Sequence, residues 1–245
     1  MNEAEMTSKG GCEVVFRDDI AILTMQMGEN RFNEHFFNEI GSKLDQVEKN
    51  ANCRILITTG SDRFFSNGLD LDYVSTLDAD GVREYSLKVK HLMYRILTFP
   101  LLTIAAINGH AFAGGAFLAM SHDYQVMNTC RGWWCLNEVL IGIPFNYFFR
   151  ELAKAKLPTP AYHQATVLGR RFTGGEALQA GIVSRVVAGP VLPQTLMLAR
   201  EVYPKDGYDR QTLRGFKESA YDYIIHNDTS IDAHGLSAHA QKAKL

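Results

Sequence analysis

Two short stretches of this 245-residue chain carry residue types and spacing suited to catalysis by the backbone itself. Phe65-Ser66-Asn67-Gly68-Leu69-Asp70 follows an apolar run, and Ala113-Gly114-Gly115-Ala116 follows another and opens a helical pattern. Glycine at a strand-to-helix junction lets the main chain come close to a ligand. The first amides of a helix have no intrahelical acceptor and sit at the positive end of its dipole. Such amides hold an anion, or a carbonyl oxygen that becomes one. Both stretches are expected at one edge of a sheet, where α/β folds place their ligands. Two converging N–H groups would form an oxyanion hole, in which losing one donor costs ~100- to 1,000-fold in rate. Neither stretch offers a nucleophile beside a histidine base. Ser66 comes nearest, but the Gly-x-Ser-x-Gly elbow is absent.

The elements that must position these stretches read as alternating strands and helices. Residues 12–17 and 20–26 alternate apolar and polar side chains around Asp18-Asp19, which predicts a β-hairpin. Asn33 is placed to cap a helix reaching about residue 48, with Phe36, Phe37, Ile40, Leu44 and Val47 at helical spacing. Residues 54–59 form a short buried strand, 61–70 an irregular loop, and Asp70 caps a short helix with Leu71, Tyr73 and Val74. A longer helix is expected over 80–98, strands over 102–107 and 124–127, and a loop over 128–132 leading to Trp133 and Trp134. Helices follow at 147–155, 161–168 and 172–180, a strand at 182–187, and two last helices at 191–202 and 210–225. The pattern is α/β with repeated crossovers, a core over residues 1–190 and a helical region over 191–245.

Bulk composition narrows the field. A 46% hydrophobic and 21% charged share is ordinary for a globular domain, and a net charge of −2 supplies no basic field for nucleic acid or anionic lipid. No apolar run approaches the roughly 20 residues that span a bilayer. Cys12, Cys53, Cys130 and Cys135 lack metal-ligand spacing, so no metal site is expected and the thiols read as reduced. Residues 1–11 resemble neither a signal nor a transit peptide. The chain closes Lys242-Ala243-Lys244-Leu245, similar to the C-terminal Ser-Lys-Leu address that a peroxisomal import receptor reads.

The two stretches, as Phe65-Ser66-Asn67-Gly68-Leu69-Asp70-Leu71 and Ile107-Asn108-Gly109-His110-Ala111-Phe112-Ala113-Gly114-Gly115, resemble the oxyanion-hole segments of the crotonase (enoyl-CoA hydratase/isomerase) superfamily. The resemblance runs from about residue 12 to 190. It implies a spiral of ββα turns, a helical C-terminal trimerisation region, and assembly as a homotrimer or hexamer. The implied ligand is an acyl-CoA thioester, its carbonyl oxygen held by the N–H groups of Leu69 and Gly114. The implied contacts to CoA and the acyl chain are Arg31, Ser66, Asn67, Gly68, Asp70, Leu71, Tyr73, Gly115, Phe117 and Ile143. CoA belongs to the substrate, and no separate cofactor is implied.

Superfamily members differ in the side chains over the α-carbon. Hydratases hold water between two glutamates, and here the first of those positions is Phe117 while Glu138, in Asn137-Glu138, matches the second. A single carboxylate can move a proton from C2 of a 3-enoyl-CoA to C4 with no addition of water. The motif set, with Ser121-His122-Asp123-Tyr124 and Asn137-Glu138-Val139-Leu140-Ile141-Gly142, is most similar to the peroxisomal Δ3,Δ2-enoyl-CoA isomerases of fatty-acid β-oxidation. The implied catalytic residue is Glu138. Another acyl-CoA-processing crotonase, such as a hydratase or thioesterase, and a non-catalytic acyl-CoA binder stand as alternatives. His110 and His122 read as structural, and Trp133 and Trp134 as packing residues.

Overall fold

A computed structural model describes residues 10–226, so Ala243-Lys244-Leu245 lie outside the described residues. Its larger sheet has six strands, β1 (Cys12–Arg17), β2 (Ile20–Met25), β3 (Ile55–Gly60), β5 (Leu102–Ile107), β7 (Tyr124–Asn128) and β9 (Arg185–Val187), in the order β1-β2-β3-β5-β7-β9. β1 and β2 form the expected antiparallel hairpin, turning at Asp18 with φ 54°. All other pairs are parallel. Every residue of β3 and β5 is buried, as a parallel sheet covered on both faces requires.

A second, smaller sheet is made of β4 (Phe64–Ser66), β6 (His110–Phe112) and β8 (Trp134–Cys135), all parallel. The sequence pattern predicts no strand at these residues. At two or three residues each, they are too short to show the alternation that marks a strand. They complete the repeating unit, because each of β3, β5 and β7 is followed by one short strand and then by a helix. After β4 come α2 (Leu71–Thr76) and α3 (Ala79–Leu97), after β6 comes α4 (Gly114–Met120), and after β8 comes α5 (Glu138–Ile141). The result is the spiral of ββα turns.

The helices begin where short polar side chains can accept their first amides. Asn33 caps α1 (Glu34–Lys49) through Phe36 N–H, Asp70 caps α2 through Tyr73 N–H, and Asp78 caps α3 through Gly81 N–H, two residues ahead of the expected start. α6 (Tyr147–Lys156) and α7 (Thr159–Thr166) come next, and Thr173 starts α8 (Gly174–Gln179) with a capping box. Phe172 precedes that helix and bridges to Trp134.

Alternate strand residues build two cores. Ile20, Ile22, Ile55, Ile57, Leu102 and Ile104 face α9 (Val191–Val202), which adds Val191, Leu198 and Ala199. Ala21, Leu23, Leu56, Ala105 and Ile107 face the opposite way, toward α1, α3, α4 and the small sheet. The helices beyond residue 190 are therefore packed into the same cores as the strands.

α10 (Arg210–His226) buries only Lys217 and Ile224 and is fastened largely by polar contacts. Lys217 Nζ donates to Leu101 O at 2.8 Å and to Asp123 Oδ2 at 2.5 Å, while Asp123 also accepts Thr103 N–H at 2.8 Å. Burial pushes the Lys217 ammonium below its ordinary pKa, and Asp123 opposes that. Removing one partner of a buried pair leaves an uncompensated charge, at a cost of about 3–5 kcal/mol. Asp123→Ala should accordingly shift the urea midpoint sharply down, whereas Asp222→Ala, which removes an acceptor of Tyr94 at the partly exposed end of α10, should shift it far less.

Candidate active site

The carboxyl ends of the three short strands deliver three segments to one place. β4 leads into residues 67–70, β6 into Ala113 and Gly114, and β8 into Asn137 and Glu138. This is the sheet edge at which ligands bind in α/β folds.

The first two segments meet backbone to backbone. Gly68 has φ 76°, and a Cβ there would lie 2.6 Å from Gly114 N and 2.9 Å from Phe112 O. A Cβ on Gly114 would lie 3.2 Å from Gly68 Cα and 3.4 Å from Leu69 N. Gly115 is equally closed, with Ser66 O 2.1 Å from its would-be Cβ. Ala113, between β6 and α4, has φ 48° and ψ −122°. A non-glycine residue held there stores backbone strain of order 1–3 kcal/mol. Among the described residues, neither Leu69 N–H nor Gly114 N–H donates to a protein acceptor, while Ala113 N–H donates to Cys135 O at 2.9 Å.

Leu69, Ala113, Asn137 and Glu138 line a cavity of about 340 Å³ with Arg31, Asn67 and Leu71. A second cavity of about 340 Å³ opens beyond Glu138 and is mostly apolar, with Val139, Ile143, Pro144, Phe145 and Thr166. Glu138 and Ile143 line both, so the two cavities adjoin at these residues. Its residue is 8% exposed, and Glu138 Oε2 and the neighbouring Asn137 Oδ1 have no hydrogen-bond partner among the described residues. Burial raises the Glu138 pKa from 4.5 to about 8, with its own backbone N–H pulling weakly the other way. The residue opens α5, a single turn that Gly142 ends in the left-handed conformation.

The other residues expected at the site fall into four groups. Arg31 lines the first cavity but is already paired, its Nε 2.6 Å from Glu29 and its NH1 group 3.1 Å from Asp72. Asp70 and Tyr73 face a different cavity of about 490 Å³, on the side of Arg31 that also carries Glu29 and His35. Ser66 and Phe117 line none of these three cavities. The Ser66 hydroxyl is fully buried and spent inside the loop, donating to Asn30 O at 2.7 Å and accepting Gly68 N–H at 3.1 Å. Phe117 is 1% exposed and sits behind Phe145, ring centroids 5.2 Å apart. It shapes the second cavity through that neighbour. Gly68 and Gly115 contribute clearance between backbones.

Both histidines are structural. His122 is buried between Leu118 O and Thr58 Oγ1, and burial pushes its pKa down to about 4. His110 accepts Trp133 N–H and stacks on Phe112. Sequence reasoning missed Asn137 and the second-cavity residues Val139, Pro144 and Thr166. Adjacency to Glu138 and the Pro144 break signals the first three, and Thr166 carries no signal.

A fold of repeated ββα turns with two apposed backbone amides and a buried carboxyl group defines a class, and comparison with known proteins gives its family. Residues 15–219 match the enoyl-CoA hydratase/isomerase family, and the chain belongs to it. It is 37% identical over 180 residues to the peroxisomal enoyl-CoA delta isomerase 2 of Arabidopsis thaliana, covering 70% of this chain and 75% of that one. It is 30% identical over 237 residues to enoyl-CoA delta isomerase 3 of the same plant, covering 93% and 99%. Among solved structures, an enoyl-CoA hydratase of Mycobacterium ulcerans superposes with a TM-score of 0.79 at 28% identity, covering 96% of this chain and 100% of that one. Human mitochondrial delta3-delta2-enoyl-CoA isomerase shares the fold, with a TM-score of 0.83 over 95% of this chain and 96% of that one at 24% identity.

The raised pKa of Glu138 also fixes the sign of a stability effect. Between pH 4.5 and about 8 the folded chain holds a proton at Glu138 that the unfolded chain has lost. That contribution to stability is present below pH 4.5 and is lost as pH rises, levelling off above about 8. The shift corresponds to roughly 5 kcal/mol at its limit, at ~1.4 kcal/mol per pKa unit. Glu138→Gln and wild type should melt together near pH ~5, and the variant should melt several degrees higher near pH ~9.

Proposed function

We propose that this chain isomerises 3-enoyl-CoA thioesters to 2-trans-enoyl-CoA in peroxisomal fatty-acid β-oxidation, with Glu138 as the single acid–base. The supporting observation is Glu138 itself: a buried residue on the cavity wall that Leu69 and Ala113 also form, with its carboxyl Oε2 lacking a hydrogen-bond partner among the described residues. The thioester oxygen accepts the N–H groups of Leu69 and Gly114. Ionised Glu138 takes a proton from C2, the C–H electrons flow into the carbonyl, and the two amides take up the enolate charge. The enolate then collapses to a C2=C3 double bond while C3=C4 takes the same proton from Glu138 at C4. Nothing is gained or lost, and no cofactor takes part.

Hydration requires water held by two acidic groups. Position 117 carries a packed phenyl ring, and Asp72, the other carboxylate on the cavity wall, is 92% exposed at the rim and paired with Arg31. The CoA end is assigned to the Arg31 and Asn67 side of the first cavity, and the acyl chain to the apolar second cavity. Relatives named as delta isomerases support the reaction class, and those named as peroxisomal support the compartment.

The reading is tested by assaying 3-enoyl-CoA isomerisation beside crotonyl-CoA hydration. Isomerisation should dominate, and Glu138→Gln should lower its kcat by ~100- to 10,000-fold with the circular dichroism spectrum unchanged. Because the base must be ionised, kcat/KM should rise with pH and level off above an apparent pKa near 8. Dominant hydration, or an active Glu138→Gln variant, would overturn the proposal.

Self-association as a trimer or hexamer belongs to the same reading. Leu140 is 64% exposed, Val167 53% and Leu168 58%, and a Cβ on Gly169 would lie 3.0 Å from Leu140 Cγ, so the segment ending at Gly169 runs beside Leu140. Leu140→Asp should reduce the mass measured by light scattering to that of a smaller assembly, and an unchanged mass would remove this surface from the interface.

A further inference from the structure

We propose that Asn30 is the positioning residue for the Leu69 amide. The proposal rests on the reading of Leu69 and Gly114 as oxyanion donors. Asn30 is fully buried and has φ 49°. That backbone region is sparsely used by residues other than glycine, and asparagine is among the few that tolerate it. Such strain persists where the surroundings over-determine it, and the surroundings here do. Asn30 Oδ1 accepts Met27 N–H at 2.9 Å, and Nδ2 donates to Phe65 O at 3.0 Å, with Phe64 O at 3.4 Å. Its own carbonyl accepts the Ser66 hydroxyl at 2.7 Å. One residue thus binds the turn after β2 to all three residues of β4.

The consequence appears in how the following loop disposes of its amides. Asn67 N–H donates to Glu29 O at 2.9 Å, Gly68 N–H to Ser66 Oγ at 3.1 Å, and Asp70 N–H to Phe32 O at 3.3 Å. Gly68 O accepts Phe32 N–H at 2.8 Å. Within residues 67–70, Leu69 N–H alone donates to no described residue, and Leu69 is on the cavity wall. Every acceptor that consumes a neighbouring amide lies in residues 29–32 or is the hydroxyl tied to Asn30. The two peptide planes flanking Leu69 are set by the turn that Asn30 anchors. Gly68 in turn abuts Gly114, so displacement of the turn changes the spacing of the two donors.

Asn30→Gly keeps the left-handed backbone and removes the side-chain stitches, and Asn30→Asp keeps the acceptor for Met27 while losing the donor to Phe65. Four quantities are measured on the full chain: kcat and KM for a 3-enoyl-CoA, the Kd of a saturated acyl-CoA, and the fraction of bound 3-ketoacyl-CoA present as enolate, read by its near-ultraviolet absorption. Misplacement of a reacting group by about 1 Å costs on the order of 100-fold. In the folded variants kcat should fall ~10- to 100-fold and the enolate fraction should drop, while KM and the saturated-ligand Kd stay within about two-fold. A kcat within two-fold of wild type would overturn the assignment. So would a parallel loss of saturated-ligand affinity, or failure of both variants to fold, because Asn30 would then serve folding alone. If wild type itself binds no enolate, the oxyanion reading fails instead, whatever the Asn30 variants do.

Discussion

The structure depends on two stretches of main chain, around Gly68 and Gly114, lying so close that no side chain fits between them. That approach forces much of what surrounds it. Gly68 must adopt φ 76°, Ala113 is held at φ 48°, and Gly115 must lack a side chain so that α4 can rest on Ser66. β4 and β6 must be parallel neighbours for their carboxyl ends to arrive together, and the long parallel strands behind them fix where those ends fall.

Around that contact, polar groups follow opposite rules. His122 and Lys217 are buried, with half-buried Asp123 pairing the latter, and their partners are supplied. Glu138, equally buried, has an oxygen with none among the described residues. An unpaired buried polar group costs free energy, and the fold accommodates this one beside another, Asn137 Oδ1. Two neighbouring unmet acceptors thus stand on residues of the same cavity wall. The strained turn at Ala113 lies on the same cavity wall.

Much of this was legible in the sequence because it rests on local rules. Asn33 and Asp70 are short acceptors just ahead of helical spacing, and both cap as expected. The long strands announced themselves as continuous apolar runs. The small sheet did not, since β8 is only Trp134 and Cys135 and such a strand exists only because its neighbours do. For the site, a motif names positions without stating which way side chains turn. Ser66 and Asn67 are adjacent, yet one is fully buried inside the loop and the other lines the cavity. Phe117 was rightly read as apolar, but its place behind Phe145 depends on α6 and the preceding loop, far along the chain. Asn30 carried no signal, because its role comes from contacts 34 and 35 residues away.

The division of labour between main chain and side chain has an evolutionary corollary. The apposed amides belong to the peptide backbone, so an ordinary point mutation cannot delete them; only proline lacks the hydrogen. Glu138, on the one-turn helix that follows β8, is an interchangeable side chain, and position 117 on α4 is another. A lineage built on this scaffold can therefore exchange the side chains at positions 117 and 138 while inheriting the apposed amides unaltered.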